Sequence, residues 1–389
     1  MTAPPRAPRP AAELAAAVLY PFLLTRAGLL LVAWFAAQFA PSWTYFDPVG
    51  ATRGWCRVPW LALDVWGRYD TSWYLDLAAR GYRAPADLVH QQSNLAFFPL
   101  YPWLVRGLHA LLPATWQGEA ARYLTAVVLA NTLALCALAI VFLLVRDVFG
   151  DARLARRAVL YLLLFPGGFF LSCAYSESLY LLLSAAALLF ALRGRWVWAG
   201  ACAFLLGLTR PAGVLVAPPL ALVYFSQPGR APRRLRWDAL ALLGAPAGLA
   251  AHAAQLAAIT GDPLALLHAQ AAWGRVLATP WATLLHPGSF HPKMGPLELG
   301  ATLLFLALGL VLLAGRQYAL SLHALLSLAP ILSSGTLMSA TRFLAVIFPA
   351  FAALARLGER EAVDRAVVVV FTLSQALLFF AWSRFYWVA

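Results

Sequence analysis

Long apolar stretches recur along almost the whole chain, at 15–40, 120–145, 157–172, 177–192, 196–209, 211–225, 238–260, 297–314, 318–335, 340–356 and 366–383. A bilayer's hydrocarbon core takes about 20 residues of helix to cross. These stretches predict an all-α polytopic membrane protein with about 11 transmembrane helices, as one domain over 15–389. Composition closes off the alternative. Of the residues, 62% are hydrophobic and 12% charged, and mean hydropathy is +0.74. Soluble domains carry roughly 25% charge, and none can hide so much apolar surface.

The net charge of +13 would point to nucleic acid in a soluble chain, but its distribution points to topology. Arg146, Arg153, Arg156 and Arg157 share one short connector. Arg193 and Arg195 share the next on that side, followed by Arg230, Arg233, Arg234 and Arg236, then Arg316, then Arg356, Arg360 and Arg365. With Arg6 and Arg9, these are 16 of the 29 basic residues; the acids on the same face leave it at +9, and everything else at +4. The basic face is therefore read as cytoplasmic, and no nucleic-acid partner is expected. That orientation needs two crossings between Arg195 and Arg230, which a helix pair broken around GLTRPAG (207–213) would supply. The Pro-rich opening, residues 1–14, reads as a disordered cytoplasmic tail. The stretch after it lacks a cleavage site beside a short apolar core, so it reads as a retained helix. Four scattered cysteines, Cys56, Cys136, Cys173 and Cys202, show no metal-ligand spacing; Cys56 and Cys173 could meet on the outer side.

Two outward loops, 41–119 and 261–296, are too long to be mere connectors. GRYDTSWYLDLAARGY (67–82) places Tyr69, Trp73, Tyr74 and Leu77 at helical spacing, as an amphipathic helix in the membrane interface would. NLAFFPLYPWLVRGLHALL (94–112), interrupted by Pro99 and Pro102, reads as a second interfacial helix, the two roofing a pocket. Asp70 opens the first helix, where it can be an N-cap or a general base held at the membrane surface. Glu177 starts an apolar span, where the helix macrodipole favours an acid in any case. Arg210 sits at the GLTRPAG break, and Arg342 opens a span from outside, where snorkelling is the plain alternative. Asp262, His268, Gln270, Trp273, Arg275, His286, His291 and Lys293 populate the second loop. Carboxylates facing cations at outer helix ends suit a lipid phosphate donor attacked by a hydroxyl.

RYDTSWYLDLAARGY, NLAFFPLYPWLVR, FFLSCAYSESLYLLLS, LTRPAGVLV, GDPLALLHAQAAWGR and SATRFLAVIFPAFAAL resemble, in order, the blocks of the glycosylphosphatidylinositol mannosyltransferase class V family and its bacterial relatives. The resemblance runs from about 66 to 351. It implies the GT-C fold, with interfacial helices in a large first outer loop. It also implies an inverting glycosyltransferase that takes a sugar, typically mannose, from a polyprenyl phosphate, with neither metal nor cofactor. Asp70 falls on the first-loop acid that such enzymes use as base, although relatives often carry Trp where Tyr69 stands. The expected donor-phosphate ligands are Arg342, Arg210 and Lys293. Glu177, Trp73, Tyr74, Asn94, Asp262, His268, Gln270 and Trp273 are expected on the acceptor or sugar side. A lipid, glycan or protein hydroxyl would be the acceptor. The expected location is the cell inner membrane, with the N-terminus cytoplasmic and the site facing outward. A different sugar on the same lipid, or a transporter or lipid flippase built on the broken helices, are the other readings.

Overall fold

The computed structural model describes residues 10–40, 57–230, 236–286 and 293–388. Among them every regular element is helical. In chain order the helices used below are α1 (Tyr20–Phe39), α2 (Thr71–Arg80), α3 (Leu100–Ala110), α4 (Glu119–Phe149), α5 (Ala152–Leu164), α6 (Glu177–Leu192), α7 (Trp196–Gly207), α8 (Ala217–Ser226), α9 (Gly244–Thr260), α10 (Ala265–Ala271), α11 (Gly295–Ala314), α12 (Tyr318–Leu332), α13 (Ala340–Leu344), α14 (Phe348–Leu357) and α15 (Glu361–Ser383). Five segments are long and apolar enough to cross a membrane: Ala12–Phe39, Glu119–Phe149, Trp237–Thr260, Gly295–Ala314 and Glu361–Ser383. The other expected spans appear as shorter helices. The 157–172 stretch leaves the helix at Phe165, before Pro166, and ends as a 3-10 turn, Gly168–Ser172. Proline lacks the N–H that a continuing helix needs and disfavours helix at the residue before it. The 340–356 stretch is two helices, α13 and α14, with Pro349 in the first turn of the second. At GLTRPAG, α7 stops at Gly207 and Arg210 is extended. A 3-10 turn, Pro211–Val216, then leads into α8, as the charge argument required.

The body is built on α4 against α6, α6 against α7, α7 against α9, and α5 against α14. Small residues bring the backbones together: a Cβ added to Gly248 on α9 would stand 2.1 Å from the Phe204 carbonyl on α7. Such close approach is how helices associate in lipid, where burying apolar side chains gives no advantage over leaving them in the acyl chains. At one end, Glu13–Arg156, Asp147–Arg193 and Arg157–Asp364 ion pairs tie the short basic connectors to one another. That places these connectors on one face. Cys173 is buried and unoxidised, and Cys56 lies outside the described residues, as do Arg6, Arg9, Arg233, Arg234 and His291.

Of the two helices expected at the interface, α3 exposes Trp103, Leu104 and Leu108 while burying Tyr101, Val105 and His109. The aromatic face of α2 meets protein instead: Trp73 and Tyr74 are buried against Phe97, Trp273, Tyr101 and Tyr175. Beneath them, Arg26 of α1 reaches the 3-10 turn. Its Nε donates to Ser172 Oγ at 2.8 Å and its Nη2 to the Gly168 carbonyl at 2.9 Å. A buried intramembrane cation is costly unless it is so occupied. Here it donates to a carbonyl of the 3-10 turn that follows the break in the helix. Arg26→Ala should lower the thermal midpoint in detergent, by the roughly 1–3 kcal/mol that a buried polar group left unpaired costs, with Arg26→Lys falling between.

Candidate active site

Asp70 is presented by an unusual backbone. Tyr69 before it has φ of +43°, a left-handed conformation that is a genuine outlier for a bulky residue and persists only where its surroundings over-determine it. Those surroundings are present. The Tyr69 ring lies 4.9 Å from Trp387 and 5.5 Å from Trp382, and its hydroxyl donates to the Phe385 carbonyl. Tyr175 ties the chain on both sides of the strained residue: its hydroxyl donates to the Arg68 carbonyl at 3.0 Å and accepts from the Asp70 N–H at 3.1 Å. Below, Arg68 pairs with Asp64 at 2.8 Å and lies over the Phe385 ring.

Asp70 occupies the N-cap position of α2, yet its side chain makes no cap hydrogen bond. Its Oδ2 accepts instead from Arg342 Nη1 at 2.6 Å. Arg342 Nε lies 3.1 Å from Glu177 Oε1, and the same oxygen accepts from Arg210 Nη2 at 2.8 Å. A chain of alternating charge, Asp70–Arg342–Glu177–Arg210, therefore joins α2, α13, the start of α6 and the GLTRPAG break. Asp70, Glu177 and Arg342 are all buried, Glu177 completely. The helix carrying Arg342 can approach because residue 167 is glycine; a Cβ there would stand 2.3 Å from the Thr341 carbonyl. Ser339, in the left-handed region at φ +70°, sets the entry to α13, and its N–H donates to Glu298 Oε1 at 2.7 Å.

This network forms one wall of an open cavity. Asp70, Tyr74, Arg210, Gln270, Trp273 and Arg342 all line it, so six of the residues singled out in the sequence converge. Glu177 is buried behind the wall. Trp73 stacks on Phe97, one residue removed from the cavity. Asn94 braces the first loop, donating to Asp76 Oδ2 and the Gly81 carbonyl. Asp262 and His268 pair with each other at 2.6 Å away from the cavity, and Lys293 is exposed and does not line it. Gln270 donates to the Ala96 carbonyl at 3.0 Å, pinning the second outer loop to the first.

The sequence reading did not select Arg275, Phe343, Tyr175 and Trp387. The rings of Phe343 and Trp387 and the Arg275 side chain line the cavity, while Tyr175 supports Asp70 from behind. Arg275 closes the GDPLALLHAQAAWGR block, and that position was its only signal. Burial and the neighbouring Arg342 lower its pKa to about 10. Among the described residues no group of three or more His, Cys, Asp or Glu could hold a metal ion.

The helical body is similar to that of the Archaeoglobus fulgidus oligosaccharyltransferase, solved with a tethered acceptor peptide (16% identity, TM-score 0.48, 94% of this chain and 55% of that one). It is likewise similar to ArnT from Cupriavidus metallidurans bound to undecaprenyl phosphate (15% identity, TM-score 0.46, 87% of this chain and 60% of that one). The chain thus spans a little over half the length of these structures. No curated protein matches it. Residues 61–223 match the family model described as Mannosyltransferase (PIG-V). That segment, which holds Asp70, Glu177 and Arg210, is what the chain has in common with the PIG-V mannosyltransferase model.

Proposed function

We propose that the chain is an inverting GT-C glycosyltransferase. In this reading it moves a monosaccharide, mannose by its family, from a polyprenyl-phosphate sugar to a hydroxyl of a lipid, glycan or protein acceptor. The transfer would take place at the outer face of a cell's inner membrane, with the N-terminus cytoplasmic. The observation that carries the proposal is the ion-paired Asp70 on a cavity wall crowded with guanidinium groups. An inverting transfer needs one carboxylate beside the acceptor oxygen and positive charge beside the departing phosphate. Both are on that wall.

In the proposed reaction the acceptor oxygen attacks the anomeric carbon, and its proton passes to Asp70. The bond from that carbon to the phosphate oxygen breaks, and its electron pair leaves with the polyprenyl phosphate. Arg342 holds Asp70 by Oδ2; Oδ1 has no protein hydrogen bond among the described residues and is the oxygen left to receive the proton. Fixed guanidinium groups stabilise charge on the leaving phosphate without reorganising as it forms, which is where electrostatic catalysis is most effective. Glu177 acts through Arg342 and Arg210, holding both in place. Tyr74, Trp273 and Trp387 offer ring faces against which a sugar can lie.

Asp70→Asn keeps the shape of the side chain and removes the base. Transfer of radiolabelled mannose from polyprenyl-phosphate mannose by purified protein should fall by about 10²- to 10⁴-fold, the usual worth of a general base. Donor binding should persist. Transfer at the wild-type rate would remove Asp70 from the reaction, and movement of intact donor across vesicles without cleavage would favour a flippase. The role assigned to Glu177 has its own test. Glu177→Gln leaves Arg210 without a carboxylate and Arg342 with Asp70 alone, and should cost about 3–5 kcal/mol of stability. Adding Arg210→Gln should recover part of that loss in a double-mutant cycle, whereas additive losses would mean the two side chains are not coupled.

A further inference from the structure

Three guanidinium groups, those of Arg210, Arg275 and Arg342, surround a single ring. Their carbons lie 4.9, 5.0 and 4.9 Å from the centroid of Phe343. Two carboxylates answer them, and both are already engaged: Asp70 by Arg342, Glu177 by Arg342 and Arg210. Glu298, the next acid inward, is held by the N–H groups of Ser339 and Ala340. Arg275 has no carboxylate partner among the described residues. Two positions earlier, the buried Trp273 indole N–H has no acceptor. Both residues line the cavity, and both can only donate. A partly buried cation and an unsatisfied donor in one cavity lining, with one more positive than negative charge there, call for an anionic acceptor.

We propose that Arg275, with the Trp273 N–H in the lining of the same cavity, is the seat of the phosphate of the lipid-linked donor. This assignment rests on the glycosyltransferase reading and deepens it. It moves the phosphate from Arg342 and Arg210, whose charge is spent on carboxylates, and from Lys293, outside the cavity, to a residue that sequence position alone did not select. The planar guanidinium fork suits a phosphate's paired oxygens better than an ammonium group does. The placement fits the chemistry too. The phosphate would share the Phe343 ring with Arg342, the residue that holds Asp70. The seat is assembled by docking of the second outer loop: Val276 and Ala278 N–H groups donate to the Ser334 and Ser333 carbonyls, and α10 packs on the first loop through Gln270.

The test measures binding, not transfer, so it stands or falls apart from the catalytic assignment. Purified wild-type protein and its variants in nanodiscs are titrated with undecaprenyl phosphate, with undecaprenol, and with inorganic phosphate. Arg275→Gln should weaken undecaprenyl phosphate about 10- to 100-fold, the usual worth of a charge-assisted bond. Arg275→Lys should fall between, and undecaprenol should bind both proteins alike. Trp273→Phe keeps the ring and should lose a few-fold. Undecaprenyl phosphate binding unchanged by Arg275→Gln would overturn the proposal. Inorganic phosphate binding as tightly as the lipid, and equally weakened by Arg275→Gln, would assign the seat to a free anion and overturn the lipid reading.

Discussion

Arg342 is the hinge of the site because it is shared. One guanidinium nitrogen holds Asp70, and another lies against Glu177, which in turn holds Arg210. Four side chains from regions as distant in sequence as α2 and α13 become one unit. None of them could be buried singly at tolerable cost, since an isolated ion loses far more hydration than a protein interior returns. The network therefore constrains the fold as much as the site: the first outer loop, the α6 start, the GLTRPAG break and α13 must come to one point. The glycine at 167 and the strained Tyr69 are local concessions to that convergence.

The same convergence explains why the helices near the site are short. Irregular backbone at membrane depth is tolerated only where it is enclosed in protein or lines a cavity. The turns at Gly168–Ser172 and Pro211–Val216 and the gap between α13 and α14 meet that condition. Arg26 shows the means: a cation buried in α1 donates to a carbonyl within one of these turns. By contrast α4, α11 and α15 run long and unbroken through the body.

Much of this was legible in the sequence, because a membrane writes its constraints as local composition. Apolar stretches located most of the helices but not their breaks at 165–172, 211–216 and 345–347, and the basic connectors located one face, whose cross-loop ion pairs the structure contains. The broken pair at GLTRPAG followed from two short apolar stretches together with the charge arithmetic. Asp70, Glu177, Arg210 and Arg342 stood out because charge inside apolar sequence is expensive and rarely without a use. Partnership was not legible. Arg210 and Arg342 read as free cations until Glu177 and Asp70 were seen to occupy them, and Arg275 read as one polar loop residue among many. Nor could periodicity tell that the aromatic face of α2 would be covered by Phe97 and Trp273, because a lipid-facing and a protein-facing aromatic stripe have the same spacing.

The division of labour among the three arginines follows from their secondary structure. Arg210 and Arg342 are anchored to segments fixed by close backbone packing, and both end on carboxylates, so they set the geometry whether or not a substrate is present. Arg275 comes from a loop fastened at Gln270 and Val276 and is partly exposed. A group meant to orient a base must be rigid, and preorganised neighbours provide that. A group meant to take up and release a lipid phosphate each turnover should carry its charge uncompensated until the ligand arrives. On these grounds the second outer loop supplies the ligand-dependent part of the site, and the buried network supplies the part that is the same before and after transfer.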